Sequence, residues 1–582
     1  MPSARPVAAP AAAARPARLL LSVEALCLIV ALFWLASANL GFLRAAMAAS
    51  GGFGLATLPL AVGLCGVVFA LHALLLLLLA TRRTLKPLLW LLLPVAAATS
   101  WFAGQFGVLM DPGMVRNVLR TDTAEARELL SPALLVHLAL FAGLPLLLLS
   151  RVELRARGWG RALRQRALAL LAVVVVLIGA LLAVFQPLSS LMRNHKGLRY
   201  QITPANAVWS TGSVLAQQLR GAARPREAIG LDARPGPSWA TAPRPRVLVL
   251  VVGETARAAN WGLNGYTRQT TPELAALPVI NFGAVQSCGT HTEVSLPCMF
   301  APVGRRDYDE DRIRGQQSLL HVLARAGVGV DWRDNQSGCK GVCEGLPATT
   351  VTAQDFPAAC EGGRCLDEAL FADLGQRLDA AQGTQIWVLH MLGNHGPSYF
   401  RRYPPGFETW QPACASDDLR QCSTAQITKA YDNALRYTDH LLAGAIRQLQ
   451  SRAGRVDSAL IYVSDHGESL GEMNLYLHGV PYAMAPREQR QVPMVFWRSS
   501  GFEQGAGLKP ACLEPTLRRH AQIGDVRHDH LFHTVLGLLD VRTALHEPDW
   551  DLTRGCRDAT ATAGPAPGPA GLASAPAAGT GR

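Results

Sequence analysis

The sequence predicts a bundle of five membrane-spanning helices followed by an exported α/β domain with a central, mostly parallel sheet. Apolar residues make up 49% of the 582-residue chain and are concentrated before about residue 190, in runs long enough to cross a bilayer. From residue 246 onwards, short patterns typical of buried strands alternate with helical patterns. A chain of this length is expected to form two folded units plus tails.

Five apolar segments are predicted to span the membrane. None carries the small-residue cleavage site of a signal peptide, so the first part of the chain is expected to stay in the membrane, over residues 19–187. Glu24 and Asn39 lie near the ends of the first segment, where an interfacial position makes polar side chains tolerable. The five segments are Leu19–Leu40, Phe53–Ala80, Leu85–Phe106, Pro132–Leu149 and Ala167–Phe185.

Basic residues orient this bundle. Residues 1–18, 82–86 and 151–166 contain twelve Lys and Arg but one acid, Glu153. The positive-inside rule places all three regions, including the N-terminal 1–18, in the cytoplasm. Five spans of a bacterial inner membrane then deliver the chain after about residue 187 to the periplasm. Because these regions account for nearly all of the net charge of +12, the basicity reflects topology and indicates no nucleic-acid partner.

The cysteines support export. Ten of the 12 lie in the exported part, where an oxidising compartment favours disulfides between near neighbours. The spacing of Cys339 and Cys343 also suits a zinc ligand pair, so that alternative stays open, and the sequence does not decide whether Cys512 pairs with Cys556. The four close pairs are Cys288 with Cys298, Cys339 with Cys343, Cys360 with Cys365, and Cys414 with Cys422.

Three further regions complete the predicted organisation. Residues 188–245 are expected to form a periplasmic linker, in which Ser190–Arg199 is either an amphipathic helix on the membrane surface or an ordinary turn. Residues 246–557 are expected to form the catalytic domain. The Ala, Pro, Gly and Thr composition of residues 558–582 predicts a disordered tail.

Within the α/β domain, Val247–Val252 is an apolar β-branched run typical of a strand buried on both faces. Ligands collect at the carboxyl ends of the strands in such sheets. Similar strands are predicted at Ile386–Leu389, Ala459–Val463 and Met494–Trp497, with helices at Ser318–Ala326 and Ala430–Leu449.

Polar groups follow two of these strands directly. Glu254 comes after the first strand, and Asp465-His466 follows the strand that ends at Ser464. Two carboxylates and an imidazole form a good donor set for zinc. Either acid taken alone is as well explained as a helix cap. The combination of Asp-His-Gly at one strand end with an acid at another favours a metal.

The segment between Cys288 and Cys298 supplies candidate nucleophiles. Thr290, Thr292 and Ser295 are alcohols, which coordination to Zn²⁺ would convert towards the alkoxide. A helix cap is the alternative role for such residues. Lys340, His390, His395 and His478 are candidates for binding a transferring phosphate or a second metal, although a lone histidine is more often structural.

Seven sequence motifs together resemble the phosphoethanolamine transferases, a family that includes the lipid A modifying enzymes of polymyxin resistance. The resemblance covers nearly the whole chain before the tail and implies an alkaline-phosphatase- or sulfatase-like domain behind a five-span anchor. The motifs are Val251–Arg257, Asn264–Tyr266, Ser287–Phe300, Asp331–Asn335, Asn394–Pro397, Tyr431–Asn433 and Ser464–Glu472.

The resemblance also implies residue roles. Thr292, chosen over Thr290 by the family pattern Cys-Gly-Thr-x-Thr, is the nucleophile, and its hydroxyl oxygen binds zinc. The other zinc ligands implied are Glu254, Asp465 and His466, with one or two Zn²⁺ in all. Lys340, His395 and His478 match positions that contact phosphoethanolamine or a second zinc. His291 and Glu293 depart from the pattern, which has smaller residues beside the nucleophile.

The implied reaction moves phosphoethanolamine from phosphatidylethanolamine to lipid A through a phosphoethanolamine-threonine intermediate. Membrane lipids are the expected partners of a protein expected to be a monomer. Alternative acceptors are core sugars or periplasmic glucans, and alternative enzymes are glycerophosphate-transferring or phosphoester-hydrolysing relatives. A sulfatase is disfavoured because no Cys-x-Pro-x-Arg motif is present. A membrane-anchored zinc-containing binding protein is the alternative outside enzymes.

Overall fold

A computed structural model describes residues 19–121, 123–194, 196–221, 225–361 and 364–557. These residues form two compact units. The membrane unit comprises the described residues up to 121, those within 125–222 and Gly479–Met484, and the soluble unit comprises nearly all the rest. The predicted cytoplasmic segment 1–18 and the predicted tail 558–582 lie outside the described residues.

The membrane unit is helical. Among the described residues, four helices are long and apolar enough to cross a bilayer, namely Leu55–Leu79, Leu85–Phe106, Pro132–Arg151 and Trp159–Ala183. The pair Val23–Ala36 and Leu40–Ala49, bent by 52°, brings the number to five where it crosses as one span. The helices are α1 (Val23–Ala36), α2 (Leu40–Ala49), α3 (Leu55–Leu79), α4 (Leu85–Phe106), α5 (Pro112–Arg120), α6 (Pro132–Arg151), α7 (Trp159–Ala183), α8 (Phe185–Asn194) and α9 (Ala205–Gly221). A short helix, Thr123–Glu128, precedes α6.

The first predicted span, Leu19–Leu40, has different bounds in the structure. Helix α1 ends at Ala36 and α2 begins at Leu40, with the buried Asn39 at the break. The Asn39 amide donates to the carbonyl oxygens of Trp34 at 2.9 Å and Thr203 at 2.7 Å. The protein, rather than interfacial water, therefore satisfies this side chain. Before α1, β1 (Leu19–Leu21) pairs in parallel with β2 (Val152–Leu154).

Two further boundaries differ from the prediction. Helix α7 begins at Trp159 rather than Ala167, because arginines are good helix formers and extend the helix beyond its apolar run. The predicted linker 188–245 contains the end of α8 and also α9, which the sequence did not indicate because its apolar periodicity is weak. The stretch Ser190–Arg199 is helical in its described part, through α8 and a 3₁₀ turn over Lys196–Gln201.

A seven-stranded sheet forms the centre of the soluble unit, with the order β4-β9-β8-β3-β7-β5-β6. Strands β8, β3, β7, β5 and β6 run parallel to one another. At one edge β9 pairs antiparallel with β8, and β4 pairs antiparallel with β9, so β4 runs in the same direction as the five parallel strands. The prediction of a mostly parallel sheet is confirmed. The strands are β3 (Arg246–Gly253), β4 (Ile280–Asn281), β5 (Gly329–Asp334), β6 (Ala348–Thr350), β7 (Thr384–His390), β8 (Asp457–Ser464) and β9 (Met494–Arg498).

Helices cover this sheet. Apolar side chains on one face of the sheet, including Leu248, Leu250 and Val252 of β3, form a core cluster with the helices that cover that face. Every residue of β3 and β8 is buried. The longer helices are α10 (Thr292–Met299), α11 (Leu319–Arg325), α12 (Thr424–Ser451), α13 (Leu513–Ile523) and α14 (Asp529–Leu539). Shorter ones are Ser238–Thr241, Pro272–Ala275, Glu310–Gly315, Glu368–Phe371, Leu374–Asp379, Arg487–Arg490 and Phe502–Gly505.

Five disulfides stabilise the described part of the soluble unit. One joins Cys512 to Cys556 across 44 residues, a pairing that the sequence left undecided. Cys339 and Cys343 are bonded to each other, which leaves neither thiol available as a zinc ligand. All four close pairs of the sequence are bonded, namely Cys288 with Cys298, Cys339 with Cys343, Cys360 with Cys365, and Cys414 with Cys422.

Two of these disulfides hold loops of the soluble unit. Cys360 and Cys365 stand opposite each other in an antiparallel pair of two-residue strands. Cys422 comes just before the N-cap of α12, and its bond to Cys414 ties the preceding loop to the start of that helix. The backbone N–H of Cys414 also donates to the carbonyl oxygen of Gln426 at 3.0 Å. Cys365 and Cys422 thus stabilise the fold and supply no metal ligand.

Candidate active site

The candidate site lies where three adjacent parallel strands end. In β3 and β8, Gly253 stands opposite Ser464, so Glu254 and Asp465 follow at the same edge of the sheet. Val252 stands opposite His390, the last residue of β7. The register thus brings together side chains that are more than 200 positions apart in the sequence, as expected at the carboxyl edge of a parallel sheet.

Thr292 is the first residue of α10 and lies within this cluster. Its Oγ1 is 3.0 Å and 3.2 Å from the two carboxylate oxygens of Glu254 and 3.3 Å from Nε2 of His466. The Cys288–Cys298 disulfide closes the segment that carries Thr292, and the Ser295 hydroxyl donates to the carbonyl oxygen of Asp465. The nucleophile candidate is therefore held at a helix N-terminus, a position that favours a phosphoryl group.

The donor atoms fit a divalent cation. One ligand atom each from Glu254, Asp465 and His466 lies within 4.8 Å of the other two, and all three residues are fully buried. Among the described residues, Oδ2 of Asp465 has no hydrogen-bond partner, although Nε2 of His466 lies 3.4 Å away. Buried carboxylates this close together require a cation, and the mixed oxygen and nitrogen set suits zinc.

The pKa shifts of the clustered side chains also favour a positive charge at this place. Burial by itself raises the pKa of the Glu254 carboxyl, but the charge and hydrogen bond of His466, together with His395 and His478, bring it well below its usual range. Burial and the Glu254 charge raise the pKa of Asp465. Burial lowers the pKa of His466, yet the two carboxylates outweigh it and raise that pKa to about 10. The two carboxylates therefore favour a positive charge between them.

The backbone around Glu254 is tightly constrained. Thr255 has a φ of 55°, a left-handed conformation that costs a non-glycine residue about 1–3 kcal/mol. Gly393 also has a φ of 55°, and a Cβ there would lie 2.7 Å from the carbonyl oxygen of Glu254. A glycine is therefore needed for the loop after β7 to pack on Glu254 and present His395.

His395 and His478 form a second group of donors with Glu254, again within 4.8 Å of one another. The ring centroid of His478 lies 4.5 Å from that of His466 and 5.3 Å from that of His395. Nδ1 of His478 bonds to Oε2 of Glu468 at 2.8 Å, and the Tyr399 hydroxyl donates to the other oxygen of Glu468 at 2.6 Å. These contacts fix the ring of His478 beside the first cluster.

His390 has a different environment. Its Nδ1 bonds to Oδ1 of Asp334 at 2.7 Å, and its ring lies 5.4 Å from that of Trp332. Burial lowers the pKa of His390, but Asp334, Glu254 and Asp465 together raise it. Its Nδ1 thus takes part in a buried ion pair, and a role of His390 in binding the substrate or a second metal stays a prediction.

Lys340 lies in a neighbouring loop, and its described contacts are with Ser337. Its Nζ donates to the carbonyl oxygen of Ser337 at 3.0 Å and to the hydroxyl oxygen of Ser337. The same loop carries Gln336, whose amide donates to Oε2 of Glu254 at 3.1 Å. The loop therefore borders the site, with Gln336 as the residue in direct contact.

The structure explains one of the two unusual residues beside Thr292. Glu293 is fully buried, and its Oε1 lies 3.0 Å from Nη1 of Arg314. This ion pair holds α10 against the adjacent short helix, and Glu293 belongs to neither of the two donor groups found among the described residues. His291 is buried at the N-cap position of α10 with an extended φ of −158°.

Sequence reasoning did not identify Gln336, Glu468 and Tyr399. Glu468 follows Asp465-His466-Gly467 directly, and its place in that motif was the available signal. Gln336 and Tyr399 lie in loops without periodicity, and only the tertiary contacts just described reveal them.

Comparison with known proteins agrees with this architecture. A family model described as "Phosphoethanolamine transferase EptA/EptB" matches residues 68–219, and a Sulfatase model matches residues 246–541. Phosphoethanolamine transferase EptA of Escherichia coli K12 is 37% identical over 473 residues, which cover 81% of this chain and 86% of the relative. Phosphatidylethanolamine transferase Mcr-1 of Escherichia coli is 37% identical over 532 residues, covering 88% and 94%.

A solved structure shows the same likeness. The integral membrane lipooligosaccharide phosphoethanolamine transferase A of Neisseria meningitidis matches with a TM-score of 0.87 and 35% identity, over 93% of this chain and 99% of that chain. Together with its apolar helices, this match makes the present chain a multi-pass protein of the bacterial inner membrane. Its fold, its identity to these relatives and the site at the edge of its sheet all lead to one conclusion. The chain belongs to the phosphoethanolamine transferases.

Proposed function

We propose that this protein transfers phosphoethanolamine from phosphatidylethanolamine to lipid A with zinc as its cofactor and Thr292 as its covalent carrier. The observation that supports this most strongly is the position of Oγ1 of Thr292, which is 3.0 Å from Glu254 and 3.3 Å from His466 in a buried cluster. A hydroxyl that serves only as a helix cap accepts from backbone N–H groups, whereas this one lies against a carboxylate and an imidazole at the strand ends.

Glu254, Asp465 and His466 would hold the metal together with the Thr292 hydroxyl. When bound, Zn²⁺ lowers the pKa of a coordinated alcohol and offsets negative charge on a phosphoryl oxygen. The protein keeps these donors in place through the register of β3 and β8, the constrained Thr255 backbone and the Gln336 amide. His395 and His478 lie beside them, where they can bind the oxygens of the transferring group.

Transfer takes two steps. First, the Thr292 oxygen forms a bond to phosphorus as the bond from phosphorus to the glycerol oxygen breaks. The threonine loses its proton, the glycerol oxygen gains one, and diacylglycerol leaves. Second, a phosphate oxygen of lipid A forms a bond to the same phosphorus, the bond to Thr292 breaks, and the threonine oxygen takes up the acceptor's proton.

The product carries a new ammonium group where the acceptor had only phosphate. This change lowers the negative charge of lipid A and weakens its attraction for cationic peptides. A protein anchored in the membrane is suited to this reaction, since donor, acceptor and released diacylglycerol are all lipids.

Mass spectrometry of lipid A from Gram-negative cells tests the proposal. Cells that express the intact chain should show a phosphoethanolamine increment, and cells that express Thr292→Ala should not. Thr290→Ala is the matched control, because Thr290 is an equally buried threonine in the same disulfide-closed segment. It should retain transfer.

The acceptor and the carrier can be tested separately. An increment on core sugar or on a glucan, with lipid A unmodified, would refute lipid A as the acceptor. Intact-protein mass spectrometry of the chain incubated with phosphatidylethanolamine alone should show phosphoethanolamine attached at Thr292. Free phosphoethanolamine with no labelled protein would instead indicate a hydrolase.

A further inference from the structure

A second polar cluster lies in the membrane unit, among the segments that the positive-inside rule places in the cytoplasm. Glu24, near the start of α1, is 3.2 Å from Nη1 of Arg157 and 3.4 Å from Nε of Arg166. Arg166 also donates to the carbonyl oxygens of Leu77 and Ala80 at the end of α3. These contacts hold the ends of three helices together.

A cavity of about 340 Å³ opens beside this cluster. Its charged lining is unbalanced, with four arginines and one glutamate, Glu24. Arg157 and Arg166 are partly neutralised by Glu24, whereas Arg82 and Arg155 are exposed and form no ion pair with a described residue. The four arginines are Arg82, Arg155, Arg157 and Arg166.

The arginine-bearing backbone is fixed in place. Strand β2 pairs with β1, and the backbone N–H of Arg155 donates to the carbonyl oxygen of Leu21 at 2.9 Å. Two cations bind the carbonyl oxygens of β2, since Lys86 donates to Val152 at 2.6 Å and Arg82 donates to Leu154 at 3.2 Å. The cavity is thus a preformed pocket, which lowers the entropic cost of binding a ligand.

One wall of the cavity is apolar and faces lipid. Trp159 and Leu163 of α7 line it and are 80% and 58% exposed. Tryptophan is enriched at the level of lipid head groups, and the side chains that follow along α7 are exposed and aliphatic. A head group held by the arginines would therefore have its acyl chains lying along α7.

We propose that this cavity binds the phosphate of an anionic phospholipid of the cytoplasmic leaflet. Arginines present several donors to a phosphate, and basic pockets between membrane helices on this side recognise anionic head groups. The excess of positive charge favours phosphatidylglycerol or cardiolipin over a zwitterionic lipid. The site is separate from the Thr292 cluster and holds no residue of the transfer chemistry, so its test is independent of the proposed function.

Native mass spectrometry of the full-length protein in detergent, with added phosphatidylglycerol, tests the proposal. The double variant Arg82→Gln/Arg155→Gln should bind on the order of tenfold less of this lipid. Arg83→Gln/Arg164→Gln is the matched control, because it removes the same charge from exposed arginines of the same segments that do not line the cavity. The control should bind as the wild type does, and both variants should still modify lipid A in cells.

Three outcomes would overturn the site. These are equal lipid binding by the two double variants, equal binding of phosphatidylethanolamine and phosphatidylglycerol by the wild type, and displacement of phosphatidylglycerol by an equal concentration of inorganic phosphate. The last result would mean that the cavity takes a free anion instead of a lipid.

Discussion

Strand β3 and helix α7 each contain a continuous apolar run, yet one run is buried and the other is exposed. Every residue of β3 is buried, whereas within residues 159–183 of α7 only Val173 is buried. Strand β3 excludes water by packing between two strands and under helices, while α7 meets the bilayer, which is as apolar as the side chains themselves. An apolar run therefore identifies a low-polarity environment, and its length shows whether protein or lipid provides it.

Buried polar side chains of the two units differ in whether their hydrogen-bonding atoms have partners. In the membrane unit Asn39 is fully buried, and both its amide donors and its acceptor are used. In the soluble unit Asp465 is equally buried, but one of its oxygens has no hydrogen-bond partner among the described residues. A satisfied buried group stabilises a fold, whereas a buried carboxylate oxygen without a partner, beside another carboxylate, supports the proposed cation site.

The largest expected effect comes from that site. Replacing Glu254 by Gln removes one charge and one ligand while preserving shape, and we expect transfer to lipid A to fall at least about a thousandfold. The zinc content of the purified protein, measured by elemental analysis, should fall with it. Chelation of the wild type should likewise abolish transfer, and added Zn²⁺ should restore it.

Glu503→Gln is the control for this change. Glu503 is also a buried glutamate of the soluble unit, but it accepts hydrogen bonds from the backbone N–H groups of Ala511 and Leu513 and belongs to neither donor group around Glu254. This variant should keep its metal and its activity. Wild-type zinc content in Glu254→Gln would refute the assignment of Glu254 as a ligand.

The cysteines also differ between the two units, and the disulfides of the soluble unit are expected to contribute to its free energy of unfolding. The ten paired cysteines lie in the soluble unit, while Cys27 and Cys65 of the membrane unit are free. Replacing both Cys512 and Cys556 by Ala should lower the free energy of unfolding by about 4 kcal/mol, because their loop is long. The same change at Cys339 and Cys343, four residues apart, should cost about 2 kcal/mol.

Chemical denaturation of the purified variants provides this measurement. If the two double variants are destabilised equally, loop closure is not the source of the stabilisation, and local packing of the half-cystines explains it better.

Much of the site could be predicted from the sequence because its ligands follow strands. Glu254 and Asp465-His466 are each adjacent to an apolar run, and the carboxyl ends of parallel strands meet. The choice of Thr292 over Thr290 came only from the family resemblance, since both are threonines in one short loop. The contacts of Gln336 and Glu468 depend on how loops pack, and no local pattern encodes that packing.

The fold likewise has features that the sequence predicts and features that depend on long-range contacts. The membrane spans and the main strands are marked by apolar runs, so their existence could be predicted from the sequence. Their first and last residues differ from the predicted ones. The break at Asn39 depends on a hydrogen bond to Thr203, which is 164 residues away. Helix α9 was missed because its apolar face is weak. Long-range partners decide such features, and a single sequence does not display them.

The smallest expected effect tests the difference in burial between β3 and α7. Leu250→Ala in β3 deletes a fully buried side chain and should lower the free energy of unfolding of the soluble unit by about 2–5 kcal/mol. Leu171→Ala in α7 deletes the same atoms from a side chain that is 61% exposed, and should change stability by less than about 0.5 kcal/mol. Unfolding of both variants in the same detergent, followed by intrinsic fluorescence, measures the difference. If Leu171→Ala lowered the free energy of unfolding as much as Leu250→Ala, the Leu171 face of α7 would have to pack against protein instead of lipid. The proposed phospholipid site would then lose its lipid-facing apolar wall.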